Sequence, residues 1–239
     1  MPLPKIATPT YELELPSSGK KINYRPFLVK EEKLLVLAME SEDTKQITTA
    51  IKAVIKNCIK TRGIKVENLP TFDIEYLFLN IRGKSVGEVL DVNIICPDDE
   101  KTQVSVTIDL DSIQCQKVEG HTNKIKLDGN LMMEMKYPSL DQFIKSNFDM
   151  NDDNQLDQSF DLIAACIDKI YSADEVWASE DCSKKEMSEF LESMNSAQFK
   201  EIEKFFETMP KLSHTIKVLN PETQVESDVT LEGLAAFFA

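Results

Sequence analysis

The fold class is decided by residues 71–110, where a helical pattern gives way to strands. Residues 71–81 read TFDIEYLFLNI and are apolar on nearly every side, which predicts a buried central helix. Residues 89–95 (VLDVNII) and 103–110 (QVSVTIDL) instead alternate apolar and polar side chains. Because the sequence Pro-Asp-Asp-Glu at 97–100 separates these two runs as a turn, the pattern predicts a β-hairpin.

The chain before this stretch predicts one hairpin followed by helices. Alternation on both sides of a Pro-Ser-Ser-Gly turn within residues 1–29 predicts the hairpin. Helical spacing then predicts helices over residues 30–40 and 43–60. Gly63 is the predicted stop of the second of these helices, and Gly83 is the predicted stop of the helix that follows it. The second helix carries an apolar stripe formed by Ile47, Ile51, Val54, Ile55, Cys58 and Ile59.

The chain after this stretch predicts further strands, a second block of helices and a last hairpin. Residues 138–210 carry two helix starts with capping-box spacing, Ser183 with Glu186 and Asn195 with Gln198. An earlier helix in the same block is predicted from Leu156, Phe160, Ile163, Ala164, Ile167 and Ile170.

Strand and helix segments come in separate blocks, so the sequence predicts an α+β fold. We expect a single unit without internal repeats. Its predicted parts are a β-hairpin (1–29), helices (30–88), a β-hairpin region (89–137), helices (138–210), and a β-hairpin with an apolar tail (211–239).

Composition excludes several classes of function. Of the 239 residues, 41 are Asp or Glu and 27 are Lys or Arg, a net charge of −14. Such a charge disfavours binding to the phosphates of a nucleic acid. No apolar run approaches the roughly 20 residues that span a bilayer, and no apolar stretch at the start predicts a secretory signal. We expect a cytoplasmic protein whose partners are other proteins.

Metal and cofactor binding are not predicted. The five cysteines are widely spaced, which predicts free thiols rather than a disulfide framework. Cys96 stands beside a proline as in a zinc knuckle, and Cys115 with His121 could complete a site, but the second close ligand is missing. Residues 149–160 resemble a calcium loop, yet lack the glycine and the final glutamate that such loops require.

Catalysis is not predicted either. The two histidines, His121 and His214, fall in segments expected to be extended and exposed, and Cys182 follows two acidic residues that disfavour its thiolate. The sequence contains no nucleophile elbow, P-loop or dinucleotide-binding glycine motif. A pair of carboxylates acting as a cell-wall hydrolase stays open as an alternative, since an acidic chain offers many such pairs.

The C-terminal run from Phe199 to Phe238 contributes the candidate site residues. We expect its apolar side chains to pack inside the protein or to dock on a partner, with packing the favoured reading because chain ends are often tied down in this way. These candidate residues are Phe205, Phe206, Leu234, Phe237 and Phe238.

Two stretches resemble the T4-type phage baseplate hub assembly protein family. The first comprises Pro16-Ser-Ser-Gly-Lys20 with Tyr24-Arg-Pro-Phe-Leu-Val-Lys-Glu-Glu32. The second comprises Gln198-Phe199, Phe205-Phe-Glu-Thr-Met-Pro210 and His214, with Val229-Thr-Leu-Glu-Gly-Leu234 and Phe237-Phe238 closing it. Together they bracket nearly the whole chain.

The resemblance implies a myovirus protein made in the host cytoplasm, which helps to assemble the central hub of a contractile-tail baseplate or stays in the virion as a subunit. Its partners would be other tail or baseplate hub proteins. Relatives often carry a Cys-Pro-x-Cys knuckle in the last hairpin, where this chain has Asn220-Pro-Glu-Thr223. Metal binding is therefore not expected here.

Overall fold

The computed structural model describes residues 6–41, 43–142 and 155–233. Helices and small antiparallel sheets come in separate blocks, which confirms the α+β class. The chain divides into two compact units, one formed by residues 1–66, 72–116 and 210–239 and the other by residues 67–71 and 117–209. The expectation that the whole chain behaves as one unit stays a prediction.

The first unit begins with the hairpin of β1 (Tyr11–Glu14) and β2 (Lys21–Tyr24), followed by helices α1 (Val29–Glu40) and α2 (Thr44–Cys58). Asp43 caps α2 by accepting hydrogen bonds from two backbone amides of its first turn. The predicted stop at Gly63 is wrong, because α2 ends at Cys58. There the chain leaves the helix to pair with β2, with the Lys60 amide donating to the Asn23 carbonyl oxygen at 2.7 Å.

Helix α3 (Thr71–Val86) is the buried central helix expected from its sequence. It runs through Gly83, so the predicted stop there is also wrong. A Cβ atom at Gly83 would lie 3.7 Å from Cδ1 of Leu110, an ordinary contact distance. The helix ends instead before Gly87, whose φ of +141° is rarely adopted by residues with a side chain.

Two antiparallel sheets complete the first unit. β3 (Val89–Ile95) and β4 (Gln103–Asp109) form the predicted central hairpin, and β10 (Lys211–Leu219) pairs with β11 (Glu226–Glu232) as the last hairpin. β10 also pairs with a short strand, β5 (Gln114–Gln116), which the sequence did not predict. The shared apolar core is formed by Leu79, Val92, Ile94, Cys96, Ile108, Leu110, Ile113, Leu212, Val218 and Leu231.

The second unit is a four-stranded antiparallel sheet with helices on its apolar face. Its strands are β6 (Lys124–Asp128), β7 (Leu131–Met135), β8 (Ile167–Tyr171) and β9 (Val176–Ala178), in that order across the sheet. The helices are α4 (Gln155–Ala165), α5 (Lys184–Glu192) and α6 (Ser196–Thr208). The capping boxes predicted at Ser183 and Asn195 open α5 and α6.

The prediction of helix throughout residues 138–210 is wrong at β8 and β9. Ile167 and Ile170 belong to β8, although their spacing of three fits a helix. A bulge shifts the register between β7 and β8, so that Ile167 lies opposite Met135 and Ile170 opposite Met133. Both isoleucines therefore reach the buried face of the sheet, and the bulge imitates helical spacing.

Candidate interaction surface

The N-terminal motif residues build a buried ion pair at the start of α1. Glu31 is 1% exposed, and its carboxylate accepts a hydrogen bond from Nη2 of Arg25 at 3.0 Å and one from the Leu28 backbone amide at 2.8 Å. Nζ of Lys30 lies 3.3 Å from the same carboxylate. Arg25 also donates from Nη1 to the Pro26 carbonyl oxygen.

Electrostatics keep Glu31 ionised in this position. Burial alone would raise its pKa, but the hydrogen bond from Arg25, the bond from the Leu28 amide and the positive charge of Arg25 together lower the pKa below its ordinary value. Because the carboxylate also satisfies the Leu28 amide in front of the first turn, one side chain fixes both the ion pair and the start of α1.

Backbone contacts hold this start against the rest of the first unit. The Arg25 amide donates to the Cys58 carbonyl oxygen at 3.0 Å, and the Phe27 amide donates to Oγ of Ser85 at 2.9 Å. In the earlier part of the motif, Ser17 donates from its amide and its hydroxyl to the buried carboxylate of Asp73 in α3. The motif residues thus orient α1.

The orientation leaves apolar side chains of α1 in water. Six consecutive apolar residues, Leu34 to Met39, wrap around the helix, and only Ala38 among them is fully buried. Val29 and Val36 lie two turns apart on one face, and they are 79% and 49% exposed. Further apolar side chains exposed here are Leu28, Leu34, Leu37, Met39 and, after Ser85, Val86.

A helix with apolar residues all around is normally covered on every side. Here one face packs on α2, and runs of exposed apolar residues are otherwise avoided unless they serve binding. We name the exposed set Val29, Val36, Leu37 and Met39 the α1 surface. The sequence pattern predicts the helix but not its exposed apolar surface. The signal that could have indicated this surface is the run of six consecutive apolar residues, which is too long for one buried helix face.

The last hairpin is fixed to the central hairpin through its turn. Asn220 is buried, and Nδ2 of its side chain donates to both carboxylate oxygens of Asp98, at 3.0 and 3.1 Å. The Thr223 hydroxyl donates to the same carboxylate. The hydrogen bonds from Thr223 and Asn220 lower the pKa of Asp98. This polar cluster lies at the turn of the last hairpin. The family resemblance implies that relatives carry a cysteine knuckle at the same turn.

The candidate residues of the C-terminal run fall into two groups. Phe205 is buried in the core of the second unit, and Phe206 packs partly buried beside it with the two rings edge to face. Leu234, Phe237 and Phe238 lie outside the described residues. The docking or packing role of these three residues stays a prediction.

His121 is partly buried rather than exposed, contrary to the expectation from sequence. Its ring stacks on Tyr137 and Phe205, with centroids 5.7 and 5.4 Å away. Nδ1 lies 2.9 Å from the Thr208 hydroxyl and Nε2 lies 2.9 Å from the Tyr137 hydroxyl. Burial lowers the pKa of the imidazole. Since both ring nitrogens have partners, neither is presented to a metal ion.

The described residues contain little that favours metal or nucleophile chemistry. No group of three or more His, Cys, Asp and Glu side chains within residues 6–41, 43–142 and 155–233 could hold a metal ion. The first half of the segment that resembles a calcium loop, residues 149–154, lies outside those ranges. Burial raises the pKa of the Cys58 thiol to about 11 and that of Cys166 to about 12. These thiols therefore stay protonated and unreactive near neutral pH.

A groove of about 450 Å³ lies in the second unit between α4, the end of α5 and the start of α6. Its lining includes Phe160 and Phe199, whose rings stack with centroids 5.4 Å apart. Glu192 and Glu203 also line it, but both are exposed. The acid of a hydrolase normally lies in a pocket that shields it from water, so these two exposed glutamates do not favour a hydrolase.

Comparison with known proteins gives a family match over nearly the whole chain. No curated protein and no solved structure matches the chain. No helix in the described part of the chain is long and apolar enough to cross a membrane. The family described as T4 bacteriophage base plate protein matches residues 8–239. With nearly all of its length matched, the chain belongs to the T4 bacteriophage base plate protein family.

Proposed function

We propose that this protein is an assembly factor for the hub of a T4-type baseplate and that it acts by binding other baseplate proteins, without catalysis. Membership of the baseplate family makes other baseplate proteins its natural partners. The hub, rather than another part of the baseplate, is the assignment that the motifs at both ends of the chain favour.

The observation that carries the proposal is the α1 surface. Burying apolar area stabilises a complex by roughly 25 cal/mol per Å², and the exposed valines, leucine and methionine of α1 offer such area on a helix whose start is fixed by buried contacts. A prearranged helix loses little conformational entropy on binding, which strengthens association. The net charge of −14 keeps the free protein soluble despite this surface.

Co-expression and pull-down with the other tail proteins of the same phage tests the proposal. We expect at least one baseplate protein to be captured by the native chain. The double variant Val29→Lys/Val36→Lys should lose this capture, because each lysine would place a charge in the apolar contact.

The matched control is Leu219→Lys/Val225→Lys. These residues are 52% and 45% exposed, and they lie in and beside the last hairpin of the same unit. The control adds the same charge to apolar positions away from α1 and should retain capture. Equal capture by both double variants would contradict a role for α1, and capture of no baseplate protein by the native chain would contradict the proposed function.

A structural subunit retained in the virion is the second candidate, and the family description as a base plate protein favours it. Mass spectrometry of purified phage particles separates the two roles. A transient assembly factor should be absent from finished particles, whereas a subunit should be present at a fixed ratio to other baseplate proteins.

A further inference from the structure

Among the strands that the structure describes, β9 is the last of the four-stranded sheet of the second unit, and the backbone at this edge is arranged to accept another strand. Residue pairs across β8 and β9 are Lys169 with Ala178, Ile170 with Trp177, and Tyr171 with Val176. The Ser172 backbone amide donates to the Glu175 carbonyl oxygen, and the Ser179 backbone amide donates to the Asp168 carbonyl oxygen. Because hydrogen-bonded pairs alternate in antiparallel strands, the amide and carbonyl of Val176 point away from β8.

Trp177 adds an apolar side chain to this edge. It is the only tryptophan of the chain, and it is 41% exposed. It shares a face of the sheet with Ile170 and Met133, which are both buried. The ring therefore extends the apolar face of the sheet beyond its last strand. Half-exposed tryptophans of this kind are frequent anchors of protein interfaces.

The charge around β9 is strongly negative. Asp174 and Glu175 precede the strand, and Glu180 and Asp181 follow it, all four of them exposed. Among the residues described, none of the four forms an ion pair. Two cations lie nearby: Lys136, whose Nζ donates to Oγ of Ser179 at 3.1 Å, and Lys169, which lies opposite Ala178 and pairs with Glu134. Like charges this close repel one another, and a cationic partner would relieve that repulsion.

We propose that the outer edge of β9 binds an extended segment of a partner protein in which apolar side chains alternate with Lys or Arg. The segment pairs with the outward amide and carbonyl of Val176. One apolar side chain packs on Trp177, and the cationic side chains face the four carboxylates. The inference rests on the proposed function only for the source of the segment, a partner in the baseplate. Its residues belong to the second unit, whereas α1 belongs to the first.

Trp177 provides the readout of the test, because all tryptophan fluorescence comes from it. The probe is a short synthetic peptide of alternating valine and lysine, titrated into the full-length protein. We expect a saturable blue shift of the emission, with an affinity that falls as salt is added. A peptide of alternating valine and glutamate, and an all-lysine peptide, should leave the emission unchanged.

The charge-reversal variant Glu175→Lys/Glu180→Lys should weaken binding of the valine–lysine peptide roughly tenfold or more. The matched control is Glu119→Lys/Glu207→Lys, which makes the same charge change at exposed positions of the second unit away from β9, and should bind nearly as well as the native chain. The variant Val176→Pro, which lacks the outward amide, should also lose binding while keeping its far-UV circular dichroism.

Equal weakening in both charge reversals, or an equal emission shift with the all-lysine peptide, would overturn the inference, because binding would then follow net charge alone. Absence of any shift with the valine–lysine peptide would overturn it too. The pull-down with the α1 variants reads a different surface, so capture of a baseplate protein without peptide binding would reject this inference alone.

Discussion

Glu31 shows how a residue of a family motif can serve structure rather than chemistry. A charged side chain with 1% exposure is costly unless it is paired and hydrogen-bonded. Arg25 and the Leu28 amide meet both requirements. The cost of losing one partner is then large, because the other charge would stay buried without compensation. The motif positions are therefore sensitive although they touch no substrate.

We predict that Glu31→Gln lowers the free energy of unfolding by about 3–5 kcal/mol, since Arg25 would keep its charge in a buried position without a counter-charge. Urea denaturation followed by circular dichroism measures the effect. The control Lys30→Gln removes the exposed partner of the same carboxylate and should cost less than about 1 kcal/mol. Similar losses in the two variants would refute the buried pair as the cause.

Ionisation of Glu31 should contribute to the way the free energy of unfolding changes with pH. Its pKa is lowered in the folded protein, so the contribution of its carboxylate is complete above the ordinary value of about 4.3. That contribution is lost as the pH falls below this value through the lowered folded pKa. Unfolding free energies measured from neutral pH down into this acidic range should therefore fall more steeply for the native chain than for Glu31→Gln. Parallel curves would be evidence against the assignment.

At the scale of elements, sequence patterns predicted those segments whose side chains follow a regular period. The hairpins of β1 with β2, β3 with β4 and β10 with β11 all came from alternation, and α2, α5 and α6 came from spacing and caps. These sequence patterns gave wrong or missing predictions where contacts with distant parts of the chain, rather than the local spacing of apolar residues, decide the secondary structure. The bulge in β8 gives strand residues a helical spacing, and β5 is too short to be recognised without β10, its partner in the sheet.

Gly83 provides a test of the corrected boundary of α3. A Cβ atom there would make ordinary contacts with Leu110, and alanine favours the interior of a helix over glycine. We predict that Gly83→Ala raises the free energy of unfolding by about 0.5–1 kcal/mol, measured by urea denaturation. Gly87→Ala should instead destabilise the protein, because its φ of +141° suits only glycine. Destabilisation by Gly83→Ala would show that the helix is too tightly packed at this point.

The candidate interaction surface could be predicted only in part, because exposure is a property of the whole molecule. Six apolar residues from Leu34 to Met39 identify a helix, but not which of its faces meets α2. Trp177 and its acidic neighbours are visible in the sequence. Their position at the edge of a sheet is not visible, because the sequence pattern predicts helix over both β8 and β9. The family motifs indicated a baseplate protein. The first motif includes Val29 of the α1 surface, but neither motif shows which side chains are exposed.

At the scale of the whole molecule, the chain passes between the two units four times, near residues 66, 71, 116 and 209. We predict a single unfolding transition, as expected for one cooperative unit, because neither unit is a single uninterrupted segment. Trp177 fluorescence reports the second unit, and far-UV circular dichroism reports the whole chain. Their urea transitions should coincide. A separate fluorescence midpoint would indicate two units that unfold independently.

The pairing of β10 with β5 sets the order in which the polypeptide can complete its folding during synthesis. β5 leaves the ribosome long before β10, and residues 117–209 emerge between them. The sheet of the second unit can therefore begin to form before Lys211 has left the ribosome, whereas the three-stranded sheet of the first unit must wait for it. A nascent chain stalled before Lys211 would hold the residues of β5 without their partner strand, and would offer nascent-chain chaperones an incomplete sheet.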